Sequence, residues 1–337
     1  MAAAPAETAA DLVDTGTTVA TILGAQRDDG MIPWYPGGHA DPWNHVEAAM
    51  ALAAAGELAA AAAALGWLAR TQRADGSWHA YYSADGGVED ARVDTNGVAY
   101  VATGVLCHLW AGGDPGFAAR MFAVVESALD YVLAARGPDG RVPWSLDPGG
   151  RPAAFSLLAA SSSVHQSLVS GVRLAAALGL QRPDWAAAAA RLGLLVATRE
   201  STFADKSQFA MDWYYPALAG VLGQGPARAR LAARLDEFVA PDRGVLCRAD
   251  RRWVTTAETA ECAVALFRAG WTDEAWALLA TTGDLRCPDG SYRTGLVYPE
   301  RSEFPVGERT TYSAAAVVLA ADVLTGGVGS AVFSRLE

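Results

Sequence analysis

An Asp-Gly turn flanked by helical segments recurs along this chain, and the recurrence limits the fold more than any other feature. The series reads QRDDGMIPW (Gln26–Trp34), QRADGSW (Gln72–Trp78), RGPDGRVPW (Arg136–Trp144), FADKSQFAMDW (Phe203–Trp213), APDRGVLC (Ala240–Cys247) and CPDGSY (Cys287–Tyr292). Its aspartates, Asp29, Asp75, Asp139, Asp205, Asp242 and Asp289, follow one another at spacings of 46, 64, 66, 37 and 47 residues. Such spacings leave room for two helices per unit. The fourth copy lacks the glycine and is the most degraded.

Hydrophobic periodicity supplies those helices. Before each turn runs an amphipathic stretch with apolar residues at helical spacing, over 8–25, 58–72, 116–135, 184–199, 226–239 and 272–282. After each turn comes a helix that is apolar nearly all round, over 41–55, 92–111, 157–178, 209–223, 256–269 and 310–325. A helix without a polar face is buried on several sides. Six amphipathic helices alternating with six buried ones predict an all-α fold, an (α/α)6 toroid with six inner and six outer helices. No Gly/Ser/Pro-rich linker interrupts the series, so residues 1–337 are expected to form a single toroid domain.

Composition narrows the function classes. Hydrophobic residues make up 52% of the 337 residues, enough for a large core, and the alanine excess favours helix. The net charge is −11 without a Lys/Arg cluster, which argues against nucleic acid and for a neutral substrate. No apolar run approaches the roughly 20 residues of a membrane helix. The start, MAAAPAETAADLVD, carries acids and no basic segment, so the expectation is a cytoplasmic protein without a secretory leader. Four scattered cysteines (Cys107, Cys247, Cys262 and Cys287) form no C-x-x-C pair, so neither a disulfide framework nor a zinc site is expected. No cofactor or metal is predicted, and a homo-oligomer is left open.

The second turn is the most complete. Trp67-Leu68-x3-Gln72-x2-Asp75-Gly76-x-Trp78 is similar to the QW repeat of squalene–hopene cyclases and related terpenoid cyclases. That resemblance implies an α-toroid, shared with protein prenyltransferases, complement thioester domains and six-hairpin glycosidases, and architecture alone selects none of them. The deciding motifs of the first three groups are missing: no D-x-D-D acid, no Asp-x-Cys zinc site and no Gly-Cys-Gly-Glu-Gln thioester occurs. Aromatic residues and carboxylates instead crowd the segments after the turns, as in MIPWYPGGHADPWNHVE, GSWHAYYSADGG, MDWYYPALAG and RRWVTTAETAE. Flat aromatic faces pack on sugar rings, while polar neighbours hydrogen-bond the hydroxyls. As a whole the chain resembles the six-hairpin glycosidases. Its length, its Asp41-Pro42-Trp43-Asn44 helix start and its Glu258-Thr259-Ala260-Glu261 segment are also similar to the actinobacterial hydrolases of methylmannose polysaccharides. These resemblances imply endo-acting hydrolysis of an α-1,4-mannoside, with inversion.

Glycoside hydrolysis needs two carboxyl groups, one to protonate the leaving oxygen and one to activate water or attack the sugar. In a toroid the inner-helix N-termini converge on the axis, so acids placed there are the candidates. Asp41 and Glu258, from inner helices 1 and 5, are the expected catalytic pair. A helix N-terminus favours the ionised form, which makes Asp41, at the cap itself, the expected base and Glu258 the expected acid. Plainer roles exist for both: Asp41 precedes proline as an ordinary N-cap, and Thr255-x-x-Glu258 spells a capping box. Glu261, costly to bury without a partner or cavity, is the second choice for the acid. Glu47 is expected to point elsewhere. Substrate contacts are expected from Trp34, Tyr35, Trp43, Asn44, Trp78, Tyr82, Asp94, Asn96, His165, Asp212, Trp213, Tyr214 and Glu261. For Asp94 helix capping competes with sugar binding, and for His165, Trp213 and Tyr214 core packing does. An isoprenoid-handling toroid, a non-catalytic glycan binder, and a lyase or sugar epimerase on the same fold are the alternatives.

Overall fold

The computed structural model describes residues 13–333. Each Asp-Gly unit turns an outer helix into an inner one. The outer helices are α1 (Thr15–Ala25), α3 (Leu58–Thr71), α5 (Pro115–Ala134), α7 (Pro183–Thr198), α9 (Gln224–Phe238) and α11 (Thr272–Ala280). The inner helices are α2 (Pro42–Ala54), α4 (Thr95–Trp110), α6 (Leu158–Ala177), α8 (Ala210–Leu218), α10 (Thr256–Arg268) and α12 (Thr311–Leu324). Inner helices pack in the order α2, α4, α6, α8, α10 and α12, and α12 returns to α2, so the ring closes. The fold is an (α/α)6 toroid. The outer part of the predicted first helix, residues 8–12, lies outside the described residues.

The two layers differ as the periodicity requires. Outer helix α3 buries a stripe, Ala61, Ala64, Leu65, Trp67 and Leu68, the spacing of one helix face. Inner helix α4 is buried on nearly every side from Gly97 to His108. Closure at the seam is polar as well as apolar: α1 packs on α12, and Thr311 donates from N to Trp34 O at 2.6 Å and from Oγ1 to Pro33 O at 2.7 Å.

The repeated turn has one physical design. Asp29, Asp75, Asp139, Asp205 and Asp289 each accept the backbone N–H two residues ahead, at 3.0–3.1 Å. Gln72 Nε2 donates to Gly76 O within its own turn and to Val124 O on the next outer helix, both at 2.9 Å, and Gln26 does the same to Gly30 O and Ala60 O. Gly76 has φ +91°, and a Cβ there would stand 2.4 Å from Ser127 O. Glycine is required twice over, by the backbone conformation and by the approach of the next helix. Asp242, in the fifth copy, itself adopts φ 58°.

Several elements were not legible in the periodicity. A five-stranded antiparallel sheet, β5 (Val239–Ala240), β6 (Gly244–Leu246), β7 (Trp253–Thr255), β8 (Gly295–Val297) and β9 (Ser302–Glu303), precedes and flanks the last two inner helices. Two further pairs, β1 (Tyr81–Tyr82) with β2 (Val88–Asp90) and β3 (Val93–Asp94) with β4 (Ser145–Leu146), line the same end of the ring. Strands of two or three residues are too short to show alternation. Helix α8 stops at Leu218 rather than 223, with Pro216 inside it and Gly220 at φ 70° just beyond. A further short helix, α13 (Val328–Val332), follows α12.

Candidate active site

Five of the six inner-helix N-termini, with the strands before them, wall a cavity of about 520 Å³ at the mouth of the ring. Helix α2 brings Asp41, Trp43 and Asn44; α4 brings Asp94 and Asn96; α8 brings Met211; α10 brings Glu258 and Glu261; α12 brings Tyr312. Trp34, Tyr81, Arg92 and Trp144 arrive from the connecting segments. Both proposed catalytic acids therefore line one cavity.

Asp41 caps α2, as its sequence context predicts. Its Oδ1 accepts from the backbone of Trp43 at 2.9 Å and of Asn44 at 3.0 Å. Its Oδ2 accepts from Asn44 Nδ2 at 2.6 Å and from Trp34 Nε1. Four donors converge on one carboxylate, two more than capping uses, and both additional ones come from cavity-lining side chains. Glu258 behaves differently. Helix α10 begins without a side-chain cap, and Thr255 Oγ1 has no partner, so the capping box spelled by the sequence is not formed. Thr255 is held as the last residue of β7, paired with Gly295, and its side chain is buried there. Glu258 is left in the cavity wall.

Burial shapes the other acids. It pushes the Asp94 carboxyl up to about 6; the nearby Asp41 charge adds to the rise, and hydrogen bonds from Gly97, Asn96 and Trp144 oppose it. Beneath the cavity lies a second acidic layer. Burial pushes Glu47 up to about 7, partly offset by the Tyr100 hydroxyl, which donates to Oε1 at 2.6 Å. Burial likewise holds Glu261 well above the carboxylate range, with the Glu47 charge adding to it; Tyr214 donates to Glu261 Oε2. Glu47, Tyr215 and Glu261 share a small void of about 20 Å³, room for about one water molecule. Neither glutamate has a salt-bridge partner among the described residues. Two uncompensated acids this close favour retention of a proton between them.

Among the remaining expected contacts, Trp34, Trp43, Asn44, Asp94, Asn96 and Glu261 reach the cavity, and Trp43 stacks on Tyr100 with centroids 5.2 Å apart. Others do not, and each departure has a packing reason. Trp78 is fully buried and donates to Leu68 O at 2.9 Å, closing its own turn. Tyr82 packs edge-on against Trp67, and its hydroxyl accepts from His79 N. Trp213 stacks on Phe238 between layers and donates to Arg230 O at 3.2 Å. Asp212 accepts from Ala159 N at 3.3 Å, and burial raises its carboxyl to about 6. His165 turns outward, its Nδ1 paired with Ala189 O at 2.8 Å, beside the α7 glycine Gly193. Tyr35 borders a separate crevice with Asp289 and Arg309. Tyr214 meets the site only through Glu261.

Trp144, Met211 and Tyr312 line the cavity without having been singled out in the sequence, and Tyr81, just past the second turn, lines it as well. Arg92 lines it too. Burial and the Asp41 and Asp94 charges push the Tyr81 phenol up to about 12. Tyr312 stands edge-on to Trp34 at 5.1 Å. A signal for Trp144 was present, because it occupies the same place after its turn as Trp34 does after the first.

Comparison with known proteins decides what this cavity belongs to. The chain is 44% identical over 308 residues to the MMP endo-(1,4)-3-O-methyl-alpha-D-mannosidase of Mycolicibacterium hassiacum, covering 91% of this chain and 85% of that one. This chain belongs to the MMP endo-(1,4)-3-O-methyl-α-D-mannosidase family. It is a glycoside hydrolase. No family model matches the sequence. Among solved structures, a glycosidase variant in complex with glucose superposes with TM-score 0.76 at 19% identity, over 96% of this chain and 99% of that one. A sugar epimerase from a ruminal bacterium reaches TM-score 0.75 at 11% identity, over 96% and 99%, and a D-mannose isomerase reaches 0.70 at 11%, over 95% and 99%. At those identities the likeness is one of fold alone. The mannosidase-family cavity thus sits on a toroid that other sugar-processing enzymes also use.

Proposed function

We propose that this protein is an endo-acting, inverting α-1,4-mannosidase of O-methylated mannose polysaccharides, with Asp41 as general base and Glu258 as general acid. The observation that carries the reading is the placement of both acids on one aromatic-walled cavity, in a chain 44% identical to a mannosidase of that description. Asp41, fixed by four donors, is oriented to draw a proton from an attacking water. Glu258 gives its proton to the leaving glycosidic oxygen. Inversion requires the carboxyl groups to stand about 6.5–9.5 Å apart so that water enters between them. Asn44, bonded to Asp41, and Asn96, whose Oδ1 has no protein partner, supply hydrogen bonds for water or sugar hydroxyls. Trp34, Trp43 and Tyr312 supply apolar faces, which suit methyl ethers as well as ring C–H groups.

The substrate is a neutral polysaccharide or oligosaccharide, and a membrane or nucleic-acid partner has no part in the reading. No helix among the described residues is long and apolar enough to cross a membrane. The four free cysteines, three of them buried, support a cytoplasmic setting. Proton NMR of the purified protein with α-1,4-linked 3-O-methylmannose oligosaccharides tests the proposal. Internal cleavage with the β-anomer appearing first is expected. Release of α-anomer first would overturn inversion, and release of only terminal monosaccharide would overturn endo action.

A further inference from the structure

A pair of aromatic rings leads out of the cavity at Trp144. The segment from Trp144 to Phe155 folds back on itself. Trp144 N donates to Phe155 O at 3.0 Å, and Ala153 N donates to Ser145 O at 2.8 Å. Asp147 Oδ1 closes the tip by accepting from Gly149 N and Arg151 N, at 3.0 and 2.9 Å. On this rigid hairpin Phe155 stacks on Trp144, with centroids 5.6 Å apart and planes 26° from parallel. The Arg92 guanidinium, held by Asp90, stands 5.7 Å over the Trp144 ring.

Neither ring takes part in the hydrophobic core. Trp144 lines the catalytic cavity, while Phe155 is 40% exposed. A phenyl ring so placed gains little from folding, since much of its apolar area stays in water. Fixed, exposed, stacked and continuous with a sugar-binding cavity, it has the properties of a platform for another ring. Trp34, also on the cavity wall, packs against Tyr81 at 6.1 Å and His39 at 4.7 Å. A chain-cleaving enzyme holds several sugar residues of one chain, so a surface that continues outward from the cavity wall is where a further residue would lie.

We propose that the Trp144–Phe155 stack is a distal glycan-binding platform, on which Phe155 receives a sugar residue of the same chain beyond those held in the catalytic cavity. The proposal rests on the hydrolase reading above. Phenylalanine has no polar handle, so the platform selects an apolar sugar face, and a methyl ether on that face adds contact area. Its ligand class is a neutral, O-methylated hexose chain rather than a charged or free monosaccharide.

Phe155→Ala is the test variant, because its ring lies outside the core and its loss leaves the fold intact. Kinetics are measured on α-1,4-linked 3-O-methylmannose oligosaccharides, comparing the shortest cleaved member with one several residues longer. The expected result is a KM raised about 3- to 10-fold for the long substrate, with kcat little changed and the shortest substrate unaffected. Phe155→Trp restores the long-substrate KM. An unchanged KM on both, or equal losses on both, overturns the platform. Should the wild type cleave no member of the series, the hydrolase reading fails, and calorimetric titration of the same long oligosaccharide still decides the platform: weaker binding to Phe155→Ala supports it, equal binding overturns it.

Discussion

Trp78 and Trp34 leave equivalent Asp-Gly turns and end in opposite surroundings. Trp78, three residues past Asp75, is sealed between the helix layers. Trp34, five past Asp29, lines the cavity and hydrogen-bonds Asp41. The rule holds through the first three turns; past the fourth, Gln208 at the three-residue position is exposed, and Ala210, Cys247 and Thr294, five past the last three aspartates, stay out of the cavity wall. Ile32, Val142 and Tyr292 are also three residues past their aspartates, and all are buried. Ala80 and Trp144, five past theirs, line the cavity. In these first three turns, distance from the turn aspartate, not residue type, separates structure from function, because the return segment is fixed in register by the Asp-to-backbone bond.

Substitutions at the two positions should therefore fail in different ways. Trp78→Ala removes a fully buried indole and its bond to Leu68 O, and is expected to cost about 3–5 kcal/mol in urea unfolding, with kcat/KM of the folded fraction unchanged. A variant of normal stability and impaired turnover would reverse the roles assigned to the two positions. Trp144→Ala should show the converse: a loss of about 10-fold in kcat/KM, and unfolding within about 1 kcal/mol of wild type.

Glu47 sharpens the same contrast between core and cavity, because it is an acid on the core side. Its folded value of about 7 lies above the ordinary 4.5. Between those values the unfolded chain releases the proton that the folded one keeps, so stability is full below pH 4.5 and falls as the pH rises through 7. The linked loss is on the order of 3 kcal/mol. Glu47→Gln removes it: its melting temperature should gain on the wild type across that window and stay level above it. A gap that does not change with pH would show Glu47 to be ordinarily solvated. Smallest is the effect expected on the exposed ring, the several-fold change in long-substrate KM for Phe155→Ala described above.

Much of the fold could be read from the chain because the turn and the two helix characters repeat. All twelve predicted helices are present, most within a few residues of their expected ends. Short strands carry no period, so the sheet that leads into α10 was invisible. The candidate site was legible where an acid opens an inner helix, as at Asp41, Asp94 and Glu258. It was misread where aromatic richness stood in for position. Trp213 and Tyr82 follow turns in aromatic clusters, yet their indole and phenol groups satisfy local backbone and fill the space between layers. Trp144 stands alone in its segment, and only the five-residue spacing marks it. The acidic layer of Glu47 and Glu261 depends on which faces of α2 and α10 meet on the axis, and a single helix pattern does not specify that.

The central claim is that Asp41 and Glu258 divide the chemistry between them. Its most direct test is hydrolysis of the O-methylated mannose oligosaccharide by Asp41→Asn and Glu258→Gln, each checked by circular dichroism and by calorimetric titration of the same oligosaccharide. The expected result is a fall in kcat of about 10²–10⁴-fold in each, with fold and glycan binding retained. Full turnover by either variant would contradict the assignment.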